Sequence, residues 1–140
     1  MEIEGHSITI EGVENVRRLV EALVGEDVEA AVDLCDTDVE VEESPRWPDR
    51  RTYRGREGAR QAYETMLDAF EDVRFETEEF IEIGDQVVVC LNVFGRGRES
   101  GVETNARIGH LYTLQGEKIT RLRVYDNRDE AEQAARDEAR

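Results

Sequence analysis

The sequence has few of the residues from which metal sites and disulfide frameworks are built. It contains two cysteines, Cys35 and Cys90, and two histidines, His6 and His110. Their spacing matches no metal-ligand motif, so we expect neither a metal nor another cofactor. Two thiols far apart in the sequence are typical of buried cysteines in a reducing compartment.

Long apolar stretches are also missing. Nowhere does the chain reach about 18 consecutive apolar residues, which a membrane-spanning helix needs. The first stretch, MEIEGHSITIEG, is acidic and has no hydrophobic run, which argues against a signal peptide. We therefore expect a cytoplasmic protein without a membrane partner.

Positive charge is scarce beside negative charge. The chain carries 34 Asp and Glu against 18 Lys and Arg, a formal net charge of −16. Such a surface repels nucleic acids and anionic lipids, so neither is expected as a partner. The glycine-rich stretch GRGRESG is followed by no predicted helix, so it is not a nucleotide-binding loop.

The 140 residues suit a single domain, taken as 1–140 with a core over about 13–135. Apolar residues recur with a helical period up to Phe70 and then with the period of a strand. The predicted elements are helices over about 13–24, after Asp27 and from about 55 to 70; strands at 38–42, 73–83, QVVVCLNVF, 102–114 and 118–126; an irregular loop ESPRWPDRRTY; and a last helix at about 128–138 with a weak packing face. This order indicates an α+β fold with helices on one face of a curved antiparallel sheet.

Within this order of helices and strands, three stretches of sequence are characteristic: GEDVEAAVDLCDTDVEVEE, YRGREGARQAYETMLDAFEDVRFETEEFIEIGDQVVV and GHLYTLQGEKITRLRVYDNRDEA. Together they resemble the SnoaL-like family of the nuclear transport factor 2-like (NTF2-like) superfamily. The resemblance implies a cone-shaped fold, in which a curved antiparallel sheet wraps around N-terminal helices and leaves an apolar pocket. It also implies a hydrophobic small molecule as ligand and a homodimer formed through the outer sheet face.

His110 stands in the middle of an apolar strand, in the predicted hairpin IGHLYTLQGEKITRL. A three-residue turn at 115–117 places it on the same face as Leu122 and Val124. A two-residue turn at 116–117 places it with arginines instead, because a slip of one residue exchanges the two faces. We favour the first register because it collects the apolar residues on one face. The resemblance to ketosteroid isomerase supports it, because His110 matches the position of that enzyme's oxyanion-hole acid.

Two interpretations of His110 remain open. It is either a core histidine satisfied by a carbonyl, a tyrosine or water, or a polar group at the floor of an apolar pocket. An imidazole with an ordinary pKa near ~6.5 suits proton transfer at neutral pH. In a pocket it could take a proton from a carbon beside a carbonyl, or donate a hydrogen bond to a developing enolate.

Catalysis needs a second group, and two carboxylates are candidates. Asp126 lies near the end of the returning strand, although Asp126 or Asn127 could equally cap the last helix. Glu42, with Glu40 and Glu43 beside it, lies where the resemblance places a general base in some relatives. The alternative for all three glutamates is a solvated acidic edge.

Aromatic and apolar side chains complete the predicted pocket. The only tryptophan, Trp47, lies between Pro45 and Pro48 and is either a lid or a loop anchor. The predicted ligand-binding set is Trp47, Tyr53, Tyr63, Tyr112, Leu122 and Val124. Two functions follow from these candidates: a cofactor-free cyclase or isomerase, similar to polyketide cyclases or ketosteroid isomerase, or a ligand-binding or scaffold dimer without catalysis.

Overall fold

The computed structural model describes residues 10–44 and 50–139, and it confirms the α+β fold class. The elements are α1 (Ile10–Val24), α2 (Val28–Asp33), β1 (Cys35–Glu42), β2 (Thr52–Arg54), α3 (Gly55–Asp68), β3 (Phe70–Ile83), β4 (Gln86–Gly97), β5 (Glu103–Gln115), β6 (Lys118–Tyr125) and α4 (Arg128–Glu138). None of the helices in the described ranges is both long and apolar enough to cross a bilayer.

The six strands form one curved sheet in the order β2-β1-β6-β5-β4-β3. Neighbouring strands are antiparallel except β1 and β6, which run parallel. The short strand β2 lies in a segment predicted to be irregular. It forms because β1 provides a partner, with Tyr53 opposite Val41. A pairing between distant segments of this kind leaves no periodic signal in so short a run.

The main core lies between the inner face of the sheet and α1, α2 and α3. Helix α1 buries a stripe that includes Leu19 and Leu23, and α3 buries Ala59 and Tyr63. Strand β4 contributes every second residue, Val87, Val89 and Leu91. Both cysteines are buried free thiols, as expected.

Helix α4 packs on the opposite, outer face of the sheet. Ala131 and Ala135 contact a second apolar cluster that includes Val88 and Leu111. Small residues suffice there because they let the helix approach the strands closely, which explains why its packing face looked weak in the sequence. The homodimer predicted through the outer face stays a prediction, and α4 covers part of that face.

The hairpin between β5 and β6 closes with a tight turn. Gln115 pairs with Lys118, so the connection is the two-residue turn Gly116–Glu117. Gly116 has a φ of +62°, a left-handed conformation that favours glycine in turns of this length. The favoured three-residue turn is therefore absent.

A β-bulge follows the turn and restores the predicted orientation of the two strand faces. Thr113 pairs with Arg121 and Leu114 with Ile119, so Thr120 is an extra residue in β6. The Thr120 hydroxyl donates a hydrogen bond to the Thr113 carbonyl at 3.2 Å. The bulge shifts the register by one residue and so cancels the effect of the shorter turn.

Beyond the bulge, the side chains lie on the faces predicted from the apolar pattern. His110 pairs with Val124 and Tyr112 with Leu122, and all four belong to the inner face. The side chains of Arg121 and Arg123, which alternate with Leu122 and Val124 along β6, point outward. Arg123 donates hydrogen bonds to Glu138 and Gln86 on that face.

Replacing Gly109 with alanine tests the close approach of α4 to β5. A Cβ atom at Gly109 would lie 2.6 Å from the Asn127 carbonyl oxygen and 2.9 Å from the Ala131 Cβ. Gly109→Ala should therefore lower the free energy of unfolding by about 1–3 kcal/mol, as overpacking usually does. Urea denaturation monitored by circular dichroism measures the change.

Gly25→Ala is the matched control, because the atom nearest to its Cβ would be the Glu21 carbonyl oxygen, at an ordinary contact distance of 3.6 Å. Its unfolding free energy should stay close to that of the parent protein. Equal losses in the two variants would contradict the close contact between α4 and β5.

Candidate functional site

A cavity of about 360 Å³ lies between the inner face of the sheet and helices α1 and α3. Strand β5 contributes every second residue to its wall, from Thr104 through Ala106 and Ile108 to His110. Most of the remaining wall is apolar and includes Leu23, Val41, Phe70, Phe75, Leu122 and Val124. The cavity therefore offers an apolar enclosure with a few polar groups.

His110 is the last residue in the row that β5 contributes. The residue is only 2% exposed, and its Nδ1 lies 3.0 Å from the Tyr112 hydroxyl. Burial lowers the pKa of His110 from 6.5 to about 4, because the charged imidazolium loses its hydration. The ring is therefore neutral at physiological pH.

Tyr63 of α3 is the second polar group deep in the cavity. Its hydroxyl lies 3.9 Å from the buried Cys35 thiol, a weak contact that leaves the hydroxyl able to bind a ligand. Burial is the main cause that raises the pKa of Tyr63 well above 10, and burial raises the pKa of Cys35 to about 11. Both groups are neutral near pH 7, so this end of the cavity carries no charge.

Glu43 is the only carboxylate among the described residues that line the cavity. Its Oε1 accepts a hydrogen bond from the Arg51 amide at 2.9 Å. Glu42, the predicted catalytic glutamate, lies on the opposite face of β1 and forms an ion pair with Arg121 at 2.7 Å. Because Val41 faces inward, strand alternation turns Glu42 away and brings the next glutamate to the cavity.

The second predicted catalytic carboxylate, Asp126, follows the end of β6 and is not among the residues that line the cavity. The cap of α4 is its neighbour Asn127, whose Oδ1 accepts a hydrogen bond from the Glu130 amide at 2.9 Å. The structure therefore brings neither Asp126 nor Glu42 to His110.

Of the six predicted ligand-binding residues, five lie in the described part of the chain, and three of these line the cavity. Leu122, Val124 and Tyr63 line the cavity, while Tyr112 is fully buried beside His110 and outside the lining. Tyr53 lies on β2, packs against the core and is not among the residues that line the cavity. Trp47 lies outside the described residues.

Several lining residues were missed in the sequence. Three of them lie at every second position before His110 on β5, namely Thr104, Ala106 and Ile108. Extending the strand alternation from His110 toward the start of β5 would have found them. Phe70 and Glu43 lie at or beyond strand ends, where alternation alone gives weak guidance.

In the described part of the chain, no three His, Cys, Asp or Glu side chains are grouped so that they could hold a metal ion.

Sequence comparison decides the family. Residues 16–122 match the model of the SnoaL-like domain. The chain belongs to the SnoaL-like domain family. No curated protein matches this SnoaL-like chain significantly in sequence.

Solved structures share the fold at low sequence identity. A putative SnoaL-like polyketide cyclase from Jannaschia sp. CCS1 has a TM-score of 0.74 and 16% identity, over 97% of this chain and 96% of that one. A Mycobacterium tuberculosis protein in complex with estradiol-17beta-hemisuccinate has a TM-score of 0.68 and 21% identity, over 85% and 95%. A Catenulispora acidiphila protein of ketosteroid isomerase-like fold, in complex with trimethylamine, has a TM-score of 0.72 and 20% identity, over 81% and 85%.

The buried histidine should make stability fall in mildly acidic solution. The folded chain resists protonation of His110 down to about pH 4, whereas the unfolded chain gains a proton below pH 6.5. Stability is therefore retained above pH 6.5 and lost as the pH falls toward 4. Between pH 7 and pH 5 the loss should be about 2 kcal/mol, measured by urea denaturation at each pH.

Two variants test whether His110 causes this loss of stability. His110→Gln should abolish most of the dependence between pH 7 and pH 5, while His6→Gln should keep it. Glu29, Glu78 and Glu138 do not compete in this window, because their lowered pKa values place their loss of stability below pH 4.5. A slope that survives in His110→Gln would contradict a buried, neutral imidazole.

Proposed function

We propose that the protein binds an apolar small molecule in this cavity, with a carbonyl or hydroxyl oxygen of the ligand at His110. The observation that carries the proposal is an apolar enclosure of about 360 Å³ in which His110 and Tyr63 are the deep polar groups. Ligand pockets commonly have volumes of about 300–1,000 Å³, apolar walls and a few polar groups that orient the ligand.

The structural relatives support a small-molecule ligand. The Mycobacterium tuberculosis protein holds a steroid ester and the Catenulispora acidiphila protein holds trimethylamine. These two ligands differ greatly in size, so the ligand of this chain has to be inferred from its own lining side chains. In this chain the walls contributed by Phe70, Phe75 and Leu122 favour a hydrophobic body.

A cofactor-free cyclase or isomerase is the second candidate function, and one observation favours it. Glu43 brings a carboxylate to the same cavity as the neutral imidazole of His110. In such a reaction Glu43 takes a proton from the carbon beside the ligand carbonyl, and the C–H electron pair forms the C=C bond of an enolate. His110 stabilises the enolate oxygen, and the proton returns to carbon when the product forms.

The binding proposal predicts that filling the cavity removes affinity. Ala106→Phe places a ring in the lining and should weaken binding of 2-acetylnaphthalene, an apolar ketone, at least roughly tenfold by occupying its space. Asn105→Phe is the matched control, because Asn105 lies on the outer face of the same strand and should bind the ketone like the parent protein. Isothermal titration calorimetry measures both, and equal affinities would place the ligand elsewhere.

The catalytic proposal predicts proton exchange at carbon. In D2O the protein should speed up incorporation of deuterium at the methyl group of 2-acetylnaphthalene, and Glu43→Gln should slow this by roughly 10²-fold or more. Proton NMR follows the loss of the methyl signal. Glu42→Gln is the matched control and should keep the rate. A protein that binds the ketone without exchange above buffer is a carrier.

A further inference from the structure

We propose that Tyr112 is a positioning residue that fixes the tautomer of His110, so that the ring proton lies on Nε2 and is donated to the ligand. Nothing in the sequence pattern assigns this role, since Tyr112 was expected to touch the ligand itself. This tautomer also restricts the ligand to compounds that carry a hydrogen-bond acceptor, and this restriction rests on the proposed function.

The arrangement of the two side chains turns one ring nitrogen toward the protein. Tyr112 follows His110 by two residues on β5, so both side chains leave the strand on the same face. The Tyr112 side chain is fully buried and does not line the cavity, whereas His110 does. With Nδ1 held at 3.0 Å from the hydroxyl, Nε2 is the nitrogen left for a ligand.

The single hydroxyl proton of Tyr112 decides the tautomer. Among the described residues, His110 Nδ1 is its only hydrogen-bond partner. If Nδ1 carried the ring proton, the hydroxyl would accept that bond and its own O–H would be buried without an acceptor. An unsatisfied buried donor is costly, so the O–H donates to Nδ1. The neutral ring then carries its one proton on Nε2.

Both groups stay in the protonation state that this bond requires. Burial lowers the pKa of His110 to about 4, so the ring has only one N–H at neutral pH. Burial also raises the pKa of Tyr112 above 10, which keeps the hydroxyl protonated. No change in protonation near pH 7 disturbs the pair.

The consequence is that His110 acts as a donor and not as a base. A ring that carries its proton on Nε2 presents no lone pair to the cavity, so it cannot take a proton from a carbon there. The ligand must supply an acceptor, and a carbonyl oxygen is the simplest. Glu43 is the only charged side chain among the described lining residues, which disfavours an anionic ligand. The structure therefore points to an uncharged carbonyl compound.

Nitrogen-15 NMR of the ligand-free protein tests the tautomer directly. In a His6→Gln background His110 is the only histidine, and long-range ¹⁵N–¹H spectra at pH 7 should show the proton on Nε2 and a bare Nδ1. Tyr112→Phe should produce a mixture of tautomers, while Tyr53→Phe, which removes a hydroxyl from a tyrosine outside the cavity lining, should leave the spectrum unchanged. A proton on Nδ1 in the protein with Tyr112 intact overturns the proposal, whatever Tyr112→Phe does to folding.

A pair of near-isosteric ligands tests the donor role. The protein should bind 2-acetylnaphthalene more tightly than 2-isopropenylnaphthalene, which replaces the carbonyl oxygen with a CH2 group. Tyr112→Phe should reduce this preference roughly threefold to tenfold through the ketone, with alkene affinity unchanged. Equal binding of both ligands by the parent protein overturns the donor role. If neither binds while the spectrum shows Nε2–H, the proposed function fails and the tautomer assignment stands.

Discussion

One extra residue in β6 determines which side chains the interior of the sheet receives. The tight turn at Gly116 would, without compensation, put Arg121 and Arg123 where Leu122 and Val124 now stand. Burying unpaired guanidinium groups in an apolar cavity is strongly unfavourable. The bulge at Thr120 removes that conflict, so the hydrophobic pattern and the turn are both satisfied. The enclosure and the inward orientation of the imidazole depend on this local irregularity.

Desolvation gives the interior its chemical character. Burial lowers the pKa of His110 and raises the pKa values of Tyr112, Tyr63 and Cys35, so all four groups are neutral near pH 7. A neutral imidazole in contact with a phenol is a directional hydrogen-bonding group without net charge. Such groups orient an uncharged ligand at little electrostatic cost, whereas a buried charge would need a partner of opposite sign.

Much of this fold could be predicted from the sequence, because long periodic segments such as α3 and β4 carry their own signal. The inward orientation of His110 also followed, since only one register placed His110 on the same face as Leu122 and Val124. The alternation of Val39 and Val41 in β1 already places Glu42 on the outer face of the sheet. The prediction of Glu42 followed the family resemblance instead of this alternation, and Glu43, one residue beyond the strand, lines the cavity. The role of Tyr112 depends on a side-chain contact, which periodicity does not encode.

The parallel pairing of β1 with β6 also has a consequence for how the chain is made. Cys35 of β1 pairs with Ile119, which leaves the ribosome long after it. The edge of β1 that pairs with β6 therefore stays open until most of the chain has been translated, while β2 and α3 are already available as neighbours of β1. Closing the cavity wall with Leu122 and Val124 then comes near the end of folding. A ribosome-bound chain stalled before β6 would carry the histidine but not a finished site.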